Sequence, residues 1–226
     1  RRFWPTYLMA EHLRRQLLDG ISVFDKGPHP LSLDVIKIDK LIAYIQLLDH
    51  WNKAYNLTAV RDPAVMVVRH LLDSLAIAPF ISGDRIIDVG TGAGLPGIPL
   101  AIIFPERQFA LLDSNGKKTR FLFQAKTQLG LNNIEIIESR VESYQPVDLY
   151  TAVVTRAFAD LELTGRLCRH LLSAQGRIYA MKAQQSEDAT VVLQPGMRLL
   201  ERQNIDVPGL DEPRTLVVLE RIEAES

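Results

Sequence analysis

The spacing of hydrophobic positions changes partway along the chain. Before about residue 79 they recur at helical intervals. Ile38, Leu41, Ile42, Ile45 and Leu48 fall on one face of a helix that runs to Trp51, with Ser32 placed to cap its start. Asp62-Pro63 sets a capping side chain before a proline at the first helical position, which predicts a second helix through His70 to Leu75, closed by Pro79 and Gly83. From Arg85 onward the apolar positions gather into short runs. Residues 86–89, 109–112, 134–137, 150–155 and 177–181 read as buried strands, and 96–104, 117–129 (stopped by Gly130) and 161–172 as the helices between them. Such alternation requires right-handed crossovers and therefore a parallel sheet. Segments 197–200 and 215–219 are joined only by turn residues (Pro208-Gly209, Glu212-Pro213), which predicts an antiparallel finish. The expected architecture is α/β: a sheet domain over 80–226 with an N-terminal helical region, 1–79, packed on it as one compact unit. Residues 1–8 precede Met9 and read as an extension that the fold reading leaves aside.

Composition narrows the classes. A chain of 226 residues, 47% hydrophobic and 23% charged, belongs with globular proteins that bury a sufficient core without staples. The lone Cys168 gives neither a disulfide framework nor a paired-cysteine zinc site, so no metal is expected and a reducing cytoplasm is favoured. No apolar run reaches the ~18 residues of a membrane span, and the basic start lacks the apolar stretch of a signal peptide. The chain is read as a cytoplasmic monomer without a membrane partner. Net charge is −1, but residues 1–182 hold 22 bases against 18 acids, while 183–226 hold nine acids against four arginines. Any nucleic-acid surface must therefore be a local basic patch.

The motif richest in chemistry is Asp88-Val-Gly90-Thr-Gly92-Ala-Gly94-Leu95-Pro-Gly97, between an expected strand and an expected helix. Glycines there let backbone approach a ligand at the carboxyl edge of the sheet. Gly92, Gly94 and Gly97 also fit G-x-G-x-x-G, with Asp113 21 residues beyond Gly92, which is the fingerprint of a dinucleotide-dependent oxidoreductase. Two points argue against that. The strand stops at Val89, so the turn begins at Gly90 and the fingerprint is displaced by two residues. Asp88 also stands where a pyrophosphate would sit, and a carboxylate there opposes a dianion but suits a cation. S-adenosylmethionine carries a sulfonium and an ammonium and no phosphate, so it is the preferred cofactor, with Asp113 placed to take both ribose hydroxyls. The plainer alternative is a tight turn with Asp88 capping the helix; four glycines in eight residues weigh against it.

With those residues in view, the sequence resembles the glucose-inhibited division protein B family, bacterial guanine-N7 methyltransferases of small-subunit ribosomal RNA. The likeness runs from about Leu33 to Leu219. It rests on Trp51-Asn-Lys-Ala-Tyr-Asn-Leu-Thr58, Arg69-His-Leu-Leu-Asp-Ser-Leu75 and the glycine loop continued to Ile98-Pro99. It extends through Leu112-Asp-Ser114 with Lys117-Lys118, Ser139-Arg-Val-Glu142, Thr155-Arg-Ala157 and Met181-Lys182. Glycine loops alone are not family-specific; their combination with Asn-Leu-Thr and Arg-His-x-x-Asp-Ser is. The resemblance implies a seven-stranded, Rossmann-like S-adenosylmethionine methyltransferase sheet with an N-terminal helical extension. It implies that Gly90, Leu95, Val141, Glu142 and Arg156 line the cofactor pocket, that Asp113 binds the ribose and that Val141-Glu142 flanks the adenine. With Asp88, Gly92 and Gly94 these make up the expected cofactor set. The substrate implied is N7 of a guanine in 16S RNA, naked or in its ribosomal particle; small-molecule methyl transfer and non-enzymatic RNA binding are the alternatives. Ala183 departs from the family, which usually has glycine after the lysine, and the stretch before Leu31 matches poorly.

Guanine N7 attacks through a lone pair and carries no proton, so no general base is required, and the work left is orientation. The positioning candidates are Arg156, Lys182 and Asn56. Arg156, at a strand end, is placed to hold a phosphate or guanine O6, or else to bridge Glu142. Lys117, Lys118 and Arg120 at one helix start, with Arg61 and Arg69 near the Asn56–Thr58 loop, are the RNA-contact candidates. The structural alternative is that Asn56 and Thr58 cap backbone and His70 packs within a helix. Trp51 and Tyr55 at i, i+4 are set either for base stacking or for core packing, the second being preferred. His12, His29, His50 and His170 have no ligand spacing.

Overall fold

The structure, a computed structural model, describes residues 6–28, 30–31, 33–183, 193 and 195–222. Helix α1 (Thr6–Asp25) begins inside the stretch read as an extension, and it belongs to the fold because Leu13, Leu17 and Ile21 are buried in the core. Helix α2 (Val35–Tyr55) is capped by Asp34, whose carboxylate accepts the Lys37 N–H at 2.8 Å; Ser32, the expected cap, lies outside the described residues. Asp62 caps α3 (Pro63–Met66) as its sequence requires. The helix then widens into a π-helical stretch, Val67–Leu72, before α4 (Asp73–Leu75), a distortion that often accompanies function. Over Pro63–Phe80 this segment matches a membrane span in length and apolar content, yet 61% of it is buried inside the fold.

The sheet strands are β1 (Arg85–Val89), β2 (Gln108–Asp113), β3 (Ile134–Glu138), β4 (Tyr150–Arg156), β5 (Leu172–Ala183), β6 (Met197–Ile205) and β7 (Arg214–Arg221). Their order is β3-β2-β1-β4-β5-β7-β6, parallel across the first five, with β7 antiparallel to both of its neighbours. Helices α5 (Gly97–Ile103), α6 (Gly116–Leu129) and α7 (Leu161–Cys168) fill the crossovers. The last differs from expectation: helix ends at Cys168, a 3-10 turn spans Arg169–Leu171, and β5 starts at Leu172. Both final strands outrun their apolar cores, because ladder pairing carries β6 on through exposed polar residues and β7 on through the half-buried Arg214 and Arg221 and the buried Glu220. Ala183 closes β5 opposite Arg214, an extended position where glycine's freedom is unnecessary.

Alternation along the strands sorts the interior into two layers. Ile86, Phe109, Leu111, Ala152, Val154, Tyr179 and Met181 face one core, shared with α1, α2 and the π segment. Ile87, Val89, Ala110, Leu112, Val153, Ile178 and Ala180 face the other, shared with α7. Helix α2 packs against α5 and α6, so the N-terminal helices complete one face of the sheet.

Candidate active site

The loop from β1 to α5 is shaped by three left-handed glycines, with φ of 69° at Gly90, 61° at Gly92 and 90° at Gly94. A Cβ on Gly90 would lie 2.7 Å from the Phe158 ring, so only glycine lets the two approach. Gly90 and Thr91 both donate N–H to Leu112 O, at 2.9 and 3.1 Å, which ties the loop to the end of β2. Asp88 works from beneath. It is fully buried, and its Oδ2 accepts the Thr91 hydroxyl and the Gly97 N–H, each at 2.7 Å. Burial pushes its carboxyl up to about 6, against the pull of those two hydrogen bonds. Asp88, Gly94 and Leu95, expected around a ligand, thus form the underside of the loop and leave its open face to others.

That face belongs to a cavity of about 330 Å³ at the carboxyl edge, lined by Gly90, Asp113, Lys118, Arg140, Val141, Glu142, Ala157 and Phe158 among others. Asp113 ends β2. Its Oδ2 accepts the Gly92 N–H at 2.9 Å and faces Lys118 Nζ at 3.3 Å, and its Oδ1 accepts the Asn115 N–H at 2.9 Å. The basic cluster at the start of α6 is therefore divided: Lys117 and Arg120 are exposed, while Lys118 turns into the cavity.

A second cavity of about 320 Å³ lies across Ala157, the one residue that lines both. Arg69, His70, Asp73, Arg156, Met181, Lys182 and Arg214 are among its walls. Arg156 does not bridge Glu142 and does not line the first cavity. Its Nη1 donates to Arg69 O at 3.1 Å and to Asp73 Oδ2 at 3.2 Å, because the helical layer brings a carboxylate to this side of the strand end. Arg214 Nε takes the other oxygen of Asp73 at 3.0 Å. Lys182 donates to Ala159 O, and Arg69 pairs with Glu212. His70 is buried, with Nε2 3.0 Å from the Thr58 hydroxyl. Burial, then the Arg156 charge, lowers its pKa to about 4, so the ring is neutral near pH 7.

Asn56 lines neither cavity. It ends α2 with φ of 51°, and its Oδ1 accepts from Arg61 at 2.6 Å, while Arg61 also donates to Asn52 O at 3.0 Å. Trp51 packs on the core, 5.9 Å from the Phe121 ring, with Tyr55 stacked on it at 5.1 Å. Two residues that complete the second cavity escaped the reading of the sequence. Asp73 stands inside the Arg69–Leu75 motif, where its acid was visible without a partner, and Arg214 follows a turn with no local signal.

Residues 37–218 match the family model GidB, described as rRNA small subunit methyltransferase G. The chain is 54% identical over 182 residues to Ribosomal RNA small subunit methyltransferase G of Hydrogenovibrio crunogenus, covering 80% of this chain and 84% of that one. It is 48% identical over 208 residues to the protein of that name from Marinobacter nauticus, covering 92% and 95%. Among solved structures, a putative methyltransferase, yhhF, from Escherichia coli aligns with a TM-score of 0.50 at 17% identity, over 68% of this chain and 86% of that one. M. jannaschii TYW2 in complex with AdoMet aligns with a TM-score of 0.50 at 16% identity, over 68% and 75%. At such identities these two likenesses establish the fold.

Proposed function

We propose a function from one premise: the chain belongs to the GidB family, rRNA small subunit methyltransferase G. It transfers a methyl group from S-adenosylmethionine to N7 of a guanine in small-subunit (16S) ribosomal RNA, in the cytoplasm. The observation that carries this reading is the pair of cavities meeting at Ala157 on the carboxyl edge of the sheet, one for the methyl donor and one for the base.

The first cavity suits the donor. Its wall carries two carboxylates, Asp113 and Glu142, opposite two cations, Lys118 and Arg140. A ligand with a sulfonium, an ammonium, a carboxylate and no phosphate matches that balance. Asp113 Oδ1, which accepts only the Asn115 N–H, keeps a lone pair for a ribose hydroxyl, while Oδ2 is already taken by the Gly92 N–H and Lys118 Nζ. Val141 supplies an apolar surface for the adenine, and Gly90 opens the loop backbone to the methionine end. Bound there, S-adenosylmethionine supplies a methyl group activated by its sulfonium.

The second cavity orients the acceptor. Arg156 is fixed by Asp73, so its guanidinium offers a planar, pre-set donor edge. N7 has no proton to lose, and the only histidine on this wall is neutral and held by Thr58. The side chains of this cavity therefore position the base and exclude water; orientation of this kind is worth up to about 7–11 kcal/mol.

The test is to incubate the protein and labelled S-adenosylmethionine with naked 16S RNA and, separately, with small-subunit particles, then map the RNA by mass. One methyl on one guanine is the expected product. RNA left unlabelled in both forms, with label found on a small metabolite, overturns the reading.

A further inference from the structure

At the amino edge of the sheet, opposite the two cavities just described, lies a larger one of about 640 Å³, lined by Arg169, Gln175, Arg198, Glu220, Arg221 and Ile222 among others. Register places it: Arg177 pairs with Glu220, whereas Lys182 and Ala183 stand at the far end of the same ladder, roughly 17 Å along β5.

Its three guanidiniums are held in three different ways. Arg221 donates to Leu172 O, and Arg198 to Glu220 Oε2. Glu220 Oε1 faces Arg177 at 3.4 Å, so both oxygens of the one lining carboxylate are already committed to cations. The Arg169 side chain makes no hydrogen bond or ion pair with the described residues, and its Nε is buried without a partner. It is nevertheless seated: Gly196, at φ 88°, lies so close that a Cβ there would fall 2.6 Å from Nε. A buried N–H left without an acceptor is costly, and natural structures rarely keep one unless something fills it. The lining thus combines two guanidiniums that have acceptors, a third, of Arg169, that has none, and one acid already committed to cations.

We propose that this cavity is a phosphate site and that, in the working complex, it takes a backbone phosphate of the RNA substrate. The RNA half of this assignment rests on the function proposed above. Guanidinium forks match the oxygens of a phosphate in geometry as well as in charge. The site would also give a protein of net charge −1 a local grip on a polyanion, well away from the chemistry.

The experiment compares the full chain with Arg169→Gln and Arg169→Lys. Filter binding of small-subunit RNA is measured across a salt series, S-adenosylmethionine affinity by calorimetry, and melting temperature with and without inorganic phosphate. Arg169→Gln is expected to weaken RNA binding about three- to tenfold and to shallow the log–log salt slope by about 0.7–0.9, the loss of one phosphate contact. Its cofactor affinity is expected to stay at the wild-type value, and Arg169→Lys is expected to keep the slope. Phosphate should raise the melting temperature of the wild type and not of the glutamine variant. RNA affinity and slope unchanged in a folded Arg169→Gln protein overturn the RNA assignment, even if phosphate still stabilises the wild type, since that result describes a site for a free anion. No phosphate effect and no RNA effect overturn the site altogether. If Arg169→Gln does not fold, Arg198→Gln carries the same measurements, because that side chain is 57% exposed. Wild-type protein that binds RNA with an Arg169-dependent slope yet never methylates it supports this site and sinks the methyl-transfer reading instead.

Discussion

Asp73 grips Arg156 with one carboxylate oxygen, at 3.2 Å, and Arg214 with the other, at 3.0 Å. The acid comes from α4 and the two cations from the end of β4 and the start of β7, so one side chain ties the helical layer to two strands beneath the second cavity. The carboxylate is 3% exposed, and removing its charge leaves two partly buried guanidiniums facing each other. Asp73→Asn is therefore expected to cost about 2–4 kcal/mol in urea denaturation and to abolish methylation even where the variant folds. A loss below about 0.5 kcal/mol, within the usual range of exposed pairs, rules out the hub.

Lys118 and Asp113 share the donor cavity, and this separates two neighbouring lysines by experiment. Lys118→Glu sets a second carboxylate against Asp113 and is expected to weaken S-adenosylmethionine binding at least tenfold, about 1.4 kcal/mol. Lys117→Glu, on the exposed side of the same turn, is expected to leave that affinity alone and to lower RNA binding. Asp113→Ala should cost about 1–3 kcal/mol in calorimetry. Equal cofactor affinities for the two lysine variants contradict the assignment of the cavity.

Acid sensitivity carries the mark of His70. Its pKa falls from the ordinary 6.5 to about 4 through burial, so its contribution to stability is present above pH 6.5 and lost as pH falls through about 4. Asp88 acts in the opposite sense. Its carboxyl is raised to about 6, so its contribution is complete below pH 3.8 and lost as pH rises through 6. The stability difference between wild type and His70→Gln is expected to shrink by about 2 kcal/mol between pH 7.5 and 4.5. Denaturant midpoints at the two pH values check this, and a constant difference contradicts it.

The rate of the transfer step is expected to be flat from about pH 6.5 to 8.5, because the attacking nitrogen has no proton and His70 stays neutral over that range. Single-turnover measurements decide it. A tenfold fall per pH unit below neutrality contradicts this and points to His70 or to a lining acid as a base.

The central fold was legible because the inner parallel strands β1, β2 and β4 are buried on both faces and each leaves a short apolar run in the sequence, while the edge strand β3 keeps Ile136 and Ile137 half-buried. Local signals also sufficed where the cause is local, as with Asp62-Pro63, Gly130 and the glycine loop. What escaped depends on contacts distant in sequence. The π-helical stretch at Val67–Leu72 follows no propensity, and the Arg214–Asp73 pair spans 141 residues. The direction of Lys118 is set by the carboxylate at the end of the preceding strand, and α1 is recognisable only once the face it covers is known. Arg156 drew notice by its place at a strand end; its partner came from the helical layer, whose docking no spacing rule encodes.

Ala157, at φ 50°, is a partition one residue thick between the two cavities. A ligand that displaces its backbone on one side changes the room available on the other. Linkage makes that influence mutual, so whatever factor the cofactor imposes on RNA affinity, RNA must impose on cofactor affinity. If the demethylated cofactor sits differently against this wall, release of the methylated RNA is coupled to the chemistry that has just occurred, through the position of a single alanine.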